Sequence, residues 1–142
     1  MRDEVLFSKS ESIERCVRRV REEYIGHEHE FESNWTRQDA IILNLQRACE
    51  AAIDMANRMI KLRRLGYPKE SKQSFAILQR AQVLDPATSL AMQAMVGFRN
   101  VAVHGYQELD LAKVRRIIEH RLDDLLAFSK AMLHADPTPE PA

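Results

Sequence analysis

Apolar residues recur at three- and four-residue spacing along nearly the whole chain, and no apolar/polar alternation lasts long enough to make a useful strand. The first helical pattern runs from about Asp3 to Ile25, with Leu6, Ile13, Cys16, Val17, Val20 and Tyr24 on one face. Glu14, Arg15, Arg18, Arg19 and Glu22 occupy the other. A polar connector, GHEHEFESNW, reads as a loop. Thr36 and Asp39 then form a T-x-x-D signal ahead of a second helix, a capping box with Asp in place of Glu. Ile42, Leu45, Ala48, Cys49, Ala52, Met55, Ala56 and Met59 keep its period, and Gly66 and Pro68 stop it. At 1.5 Å per residue this helix is about 43 Å long, more than a small single-core bundle needs. Its excess length suggests packing against a neighbour. A shorter helix follows near Lys72 to Val83, centred on Phe75 and Leu78. Asp85 and Pro86 open a fourth as cap and first residue. The last spans about Asp110 to His134, with Leu111, Val114, Ile117, Ile118, Leu122, Leu125 and Met132. The expectation is all-α: an antiparallel bundle of about five helices over residues 1–134. The polar, proline-rich segment 135–142 is expected to be a disordered tail.

The fourth helix does not fit a one-sided pattern. Leu90, Ala94, Met95, Phe98, Val101 and Ala102 form a stripe that reads as core. A second stripe, Met92, Val96, Arg99, Asn100, Val103 and His104, mixes aliphatic and polar residues. A helix apolar on more than one side is buried all round or packs against something outside the monomer. Arg and His are costly in a monomer core, so the second stripe is expected at a subunit interface. Residues five apart on a helix differ by about 140° in direction, so Arg99 and His104 do not share a face, whereas Asn100 and His104 do. Two copies about a twofold axis would bring them together.

Composition narrows the roles. The 142 residues suit one domain, and 21 basic against 21 acidic residues leave no net charge. Such a chain does not coat polyanions, although a focused phosphate site remains open to it. The runs RRVREE and KLRRLG read as solvated faces that could guide RNA. Cys16 and Cys49 sit within apolar helical patterns and read as buried free thiols. His27 and His29 resemble a metal pair but lack a third fixed ligand, so no metal site is expected. The N-terminus has no apolar stretch of signal-peptide length and no run spans a membrane, which makes the cytoplasm the default.

Candidate chemistry gathers in FRNVAVHGYQELD, where Arg99, Asn100, His104 and Tyr106 fall close together. Metal-free cleavage of an RNA phosphodiester needs a base, an acid and a cation for the phosphorane. Histidine titrates near neutrality and can serve as base or acid. Arginine offers a permanent charge on a planar fork matched to phosphate oxygens. One motif supplies one histidine; a symmetric pair supplies two.

RNVAVHGY resembles the R-x4-H-x-Y motif of HepT-like toxins in the HEPN superfamily. LQRACEAAIDMANR (Leu45 to Arg58) resembles the second helix of that branch, GYPKESKQSF its connector and MVGFRNVAVHGYQELD its motif helix. The similarity runs from about Glu4 to Met132. The resemblance implies a homodimeric toxin of a bacterial type VII toxin–antitoxin pair, a metal-independent endoribonuclease with its two motifs at the interface. It needs no cofactor for RNA cleavage. The resemblance assigns Arg99 and His104 to the catalytic pair and Asn100 to the supporting polar position. Tyr106 is assigned to the tyrosine to which an MntA-like nucleotidyltransferase antitoxin attaches AMP, using ATP and Mg²⁺. The alternative is a non-catalytic subunit that presents substrate to a nucleotidyltransferase.

Overall fold

The computed structural model describes residues 1–139. Six α-helices follow one another: α1 (Glu4–Tyr24), α2 (Trp35–Arg63), α3 (Ser71–Arg80), α4 (Pro86–His104), α5 (Leu111–His120) and α6 (Leu122–Ala135). Short 3-10 turns at Glu28–Glu30 and Tyr106–Glu108 lie between α1 and α2 and between α4 and α5. No strand occurs among the described residues. None of the described helices is long and apolar enough to cross a membrane.

The first helix follows its pattern. Asp3 caps it by accepting from the Leu6 amide at 2.9 Å, and all six of its expected core residues are buried. The second helix is the axis of the bundle, with α1, α3, α4 and α6 packed around it. Its eight expected core residues are buried, and so are Ile41, Ala51, Ile53 and Ile60. The length that suggested an outside neighbour is thus largely used within the protomer. Its cap also differs from expectation. Asn34, not Thr36, accepts from the Arg37 amide, and the helix begins at Trp35. It ends at Arg64, whose φ of 54° is left-handed, two residues before Gly66.

The connector after α1 holds a 3-10 turn and one core side chain. Phe31 is fully buried, edge-on to Tyr24. Arg115 of α5 donates to the Tyr24 hydroxyl at 2.9 Å and lies over the Phe31 ring. The expected single C-terminal helix is broken at Arg121, whose φ of −122° leaves the helical region without help from glycine or proline. The bend lets α5 lie against α1 and α6 while α6 reaches α1, α2 and α4. Asp123 and Asp124 then sit in the first turn of α6, where its dipole favours them.

Asp3 also receives the Arg58 guanidinium, Nη2 to Oδ2 at 2.6 Å, and its own amide donates to Asp136 at 2.7 Å. Arg63 donates to the Ala135 carbonyl at 2.6 Å. The end of α6 is thereby joined to the start of α1. Of the segment 135–142, Ala135 closes α6, and residues 140–142 lie outside the described residues.

Candidate active site and its relatives

The helix α4 is placed by its own start. Asp85 accepts from the Thr88 amide at 2.9 Å, and buried Ser89 donates to the Phe75 carbonyl of α3 at 3.1 Å. With the rotation fixed there, Met92, Met95, Val96 and Ala102 turn inward. Leu90 and Val101 are 64% and 40% exposed, and Ala94 is exposed as well. The expected division of the helix is therefore only half met: Leu90, Ala94 and Val101 of the presumed core stripe face out, Met95 and Ala102 are buried as expected, and Met92 and Val96 of the presumed interface stripe are core. Apolar residues ring α4, so periodicity alone could not choose between its faces.

Arg99 shares the inward direction, and its neighbours make that possible. Its Nη2 donates to Ser71 Oγ, at the first residue of α3, at 2.9 Å. Its Nη1 lies 3.3 Å from Glu50 Oε1 on α2. Nε is buried and has no acceptor among the described residues. The fork is thus aimed by two elements and keeps one N–H unused. Lys72, exposed on α3, reaches across so that its Nζ lies 3.8 Å from where a Cβ on Gly97 would stand. That places a second cation beside the same stretch of α4.

Asn100 and His104 are exposed, about 100° and 140° around the helix from Arg99. Neither side chain has a hydrogen-bond partner among the described residues. One protomer therefore does not bring Arg99 and His104 onto a common target. Tyr106 sits on the 3-10 turn just past α4, 42% exposed, and its hydroxyl donates to Asp39 of α2. Burial first, and the Asp39 carboxylate second, push that hydroxyl up to about 12. Ile42, Leu43 and Gln46 complete a cavity of about 290 Å³ beside it.

Glu50, Ser71, Lys72 and Asp39 were not among the residues expected at the site. The residues that meet Arg99 lie 49 and 28 positions away in sequence, and Asp39 lies 67 from Tyr106. No local spacing links them. The two cysteines are buried free thiols, and burial pushes Cys49 up to about 12. His27 lies 3.5 Å from Glu30, so that pair is part of a surface ion cluster with Arg37.

The all-helical scaffold with an arginine, a histidine and a tyrosine around the end of one helix defines a class. A family model described as "Ribonuclease HepT-like" matches residues 13–132, and the chain belongs to the HepT-like family of HEPN ribonucleases. It is 40% identical over 126 residues to the mRNA nuclease HepT of Shewanella oneidensis, covering 89% of this chain and 94% of that protein. Among solved structures it resembles a toxin–antitoxin complex with AMP-PNP, at 38% identity and a TM-score of 0.88. That match covers 92% of this chain and 98% of the other. It also resembles the tri-AMPylated Shewanella oneidensis HEPN toxin bound to the MNT antitoxin, at 38% identity and a TM-score of 0.87. There the coverage is 92% and 97%.

Proposed function

We propose that this chain is the toxin of a type VII toxin–antitoxin pair: a cytoplasmic, metal-independent endoribonuclease silenced when an MntA-like antitoxin transfers AMP to Tyr106. The observation that carries the reading is near-full-length similarity to an mRNA nuclease and to an AMPylated toxin, on a chain that presents Arg99, His104 and Tyr106 around one helix end.

The reaction needs a second copy. The outer face of α4 offers Leu90, Ala94, Gly97 and Val101, and with Phe98 and Ile117 it walls an apolar groove of about 740 Å³. Small residues at 94 and 97 allow two such helices to approach closely. His104 and Asn100 lie at the margin of that face, so pairing would bring the two histidines near one another, while Arg99 stays on the inward side of its own α4.

In this dimer His104 moves protons at the 2′-hydroxyl or the leaving oxygen, two copies sharing the base and acid roles. Arg99 stabilises the phosphorane, already oriented by Ser71 and Glu50, and Asn100 orients the hydroxyl or the imidazole. An AMP on Tyr106 adds a bulky group and about one negative charge beside this cleft, which repels RNA and competes for Arg99. The antitoxin supplies the nucleotidyl transfer, with ATP and Mg²⁺ as its own requirements.

Purified unmodified protein should cut RNA in EDTA and leave 2′,3′-cyclic phosphate ends. Arg99→Ala and His104→Ala should each lower the rate by about 10²-fold or more. Mixing the two variants under conditions of subunit exchange should restore part of the activity. Absence of any cleavage across tRNA and mRNA by the unmodified chain would sink the nuclease reading.

A further inference from the structure

A tyrosine that accepts a nucleotidyl group must lose its hydroxyl proton as it attacks. The Tyr106 hydroxyl is poorly placed to do so alone, because it stays protonated well above neutrality. It is nevertheless committed to one acceptor: it donates directly to Asp39 Oδ1, across from the turn on α2. Asp39 is exposed and makes no ion pair among the described residues, so no cation there ties its carboxylate. The rest of the cavity wall is Ile42, Leu43 and Gln46, which carry no charge. His104 at the end of α4 and Glu108 on the turn are the ionisable neighbours along the chain, and neither contributes to holding the hydroxyl up. The hydroxyl thus has one carboxylate as its acceptor, beside a cavity walled by uncharged side chains.

We infer that Asp39 is the proton acceptor for nucleotidyl transfer to Tyr106, so that the acceptor protein supplies part of the chemistry of its own modification. The inference rests on the reading of Tyr106 as the modified residue. Tyr106 Oη attacks the α-phosphorus of a nucleoside triphosphate as Asp39 Oδ1 takes the hydroxyl proton. The Oη–phosphorus bond forms, the bond to the bridging oxygen of pyrophosphate breaks, and pyrophosphate leaves with that electron pair. Asp39 then gives its proton to water. A carboxylate already bonded to the attacking hydroxyl needs no reorganisation to act as general base. The same carboxylate later works in the opposite sense. The product has no hydroxyl proton to donate and carries a phosphodiester charge next to Asp39, so the tether from the turn to α2 is lost.

The test follows adduct formation by intact mass over time, with the MNT antitoxin of the Shewanella oneidensis pair, ATP and Mg²⁺. Wild-type chain, Asp39→Asn and Tyr106→Phe are compared across pH. Asparagine keeps an oxygen that accepts the hydroxyl hydrogen bond but is no base. The expected result is a rate about 10²-fold lower for Asp39→Asn at neutral pH, climbing about tenfold per pH unit as hydroxide takes over, while the wild type stays nearly flat. A second variant, Asp39→Ala, should regain rate when formate is added. An unchanged Asp39→Asn rate, or one lowered equally at every pH, overturns the inference and leaves Asp39 a positioning residue. Failure of the wild type to gain an adduct, or an adduct persisting in Tyr106→Phe, defeats the Tyr106 reading itself and the Asp39 role with it. The two failures are therefore distinct.

Discussion

At the scale of single residues, the two motif side chains are prepared in opposite ways. Arg99 is held by neighbours, with Ser71 and Glu50 as acceptors and a side chain only 18% exposed. His104 is left free at a helix end. In the proposed reaction, a cation that must meet a phosphate in one geometry benefits from being fixed beforehand, whereas a proton carrier needs access to both substrate and solvent. Glu50 is 44% exposed at its side chain, so the pair it makes is one that a phosphate can replace. The arrangement makes Arg99→Lys a demanding substitution. An ammonium keeps the charge but cannot reach Ser71 and Glu50 while presenting a fork to phosphate. RNA cleavage by Arg99→Lys should fall about 10²-fold in kcat/KM, with an unfolding midpoint close to wild type. Near-normal cleavage would show that charge alone suffices and that the Ser71 bond is incidental.

At the scale of elements, legibility in the sequence depended on how many sides a helix buries. One-sided α1 declared its core residues by spacing alone, and Asp85–Pro86 marked the start of α4 to the residue. The rotation of α4 was not legible, because Leu90, Met92, Met95, Val96, Phe98 and Val101 surround it with apolar residues. What decides is Ser89, buried against the Phe75 carbonyl 14 positions away. The break at Arg121 was equally silent, since no glycine or proline marks it. A consequence of the corrected rotation can be tested on Leu90. Being 64% exposed, it contributes little to the protomer, and Leu90→Glu should shift stability by less than about 0.5 kcal/mol. Placed on the apolar face of α4, however, the new charge should convert dimer to monomer by light scattering and abolish RNA cleavage. A Leu90→Glu protein that remains dimeric would move the interface away from this face.

At the scale of the whole molecule, the fold class was readable throughout, and of the candidate site only the motif side chains were. Arg99, Asn100, His104 and Tyr106 are neighbours in sequence, so a motif could mark them. Their partners on α2 and α3 are brought in by the topology of the bundle. The same topology closes the chain on itself at Asp3, whose carboxylate caps α1 and meets Arg58 while its amide is held by Asp136. The hydrogen bonds from Arg58, against the cost of burial, hold the Asp3 carboxyl below its ordinary value. A depressed carboxyl stabilises the folded state above its unfolded value, about 3.9, and that contribution is lost as pH falls through the folded value. Arg58→Ala leaves the 8%-exposed Asp3 with only its backbone partner and should cost about 2 kcal/mol at neutral pH in urea unfolding. The difference from wild type should stay constant down to about pH 4 and shrink below it, as Asp3 is protonated in both proteins. A gap that persisted undiminished into strong acid would mean that the aliphatic stem of Arg58, and not its charge, is what ties the ends of the chain together.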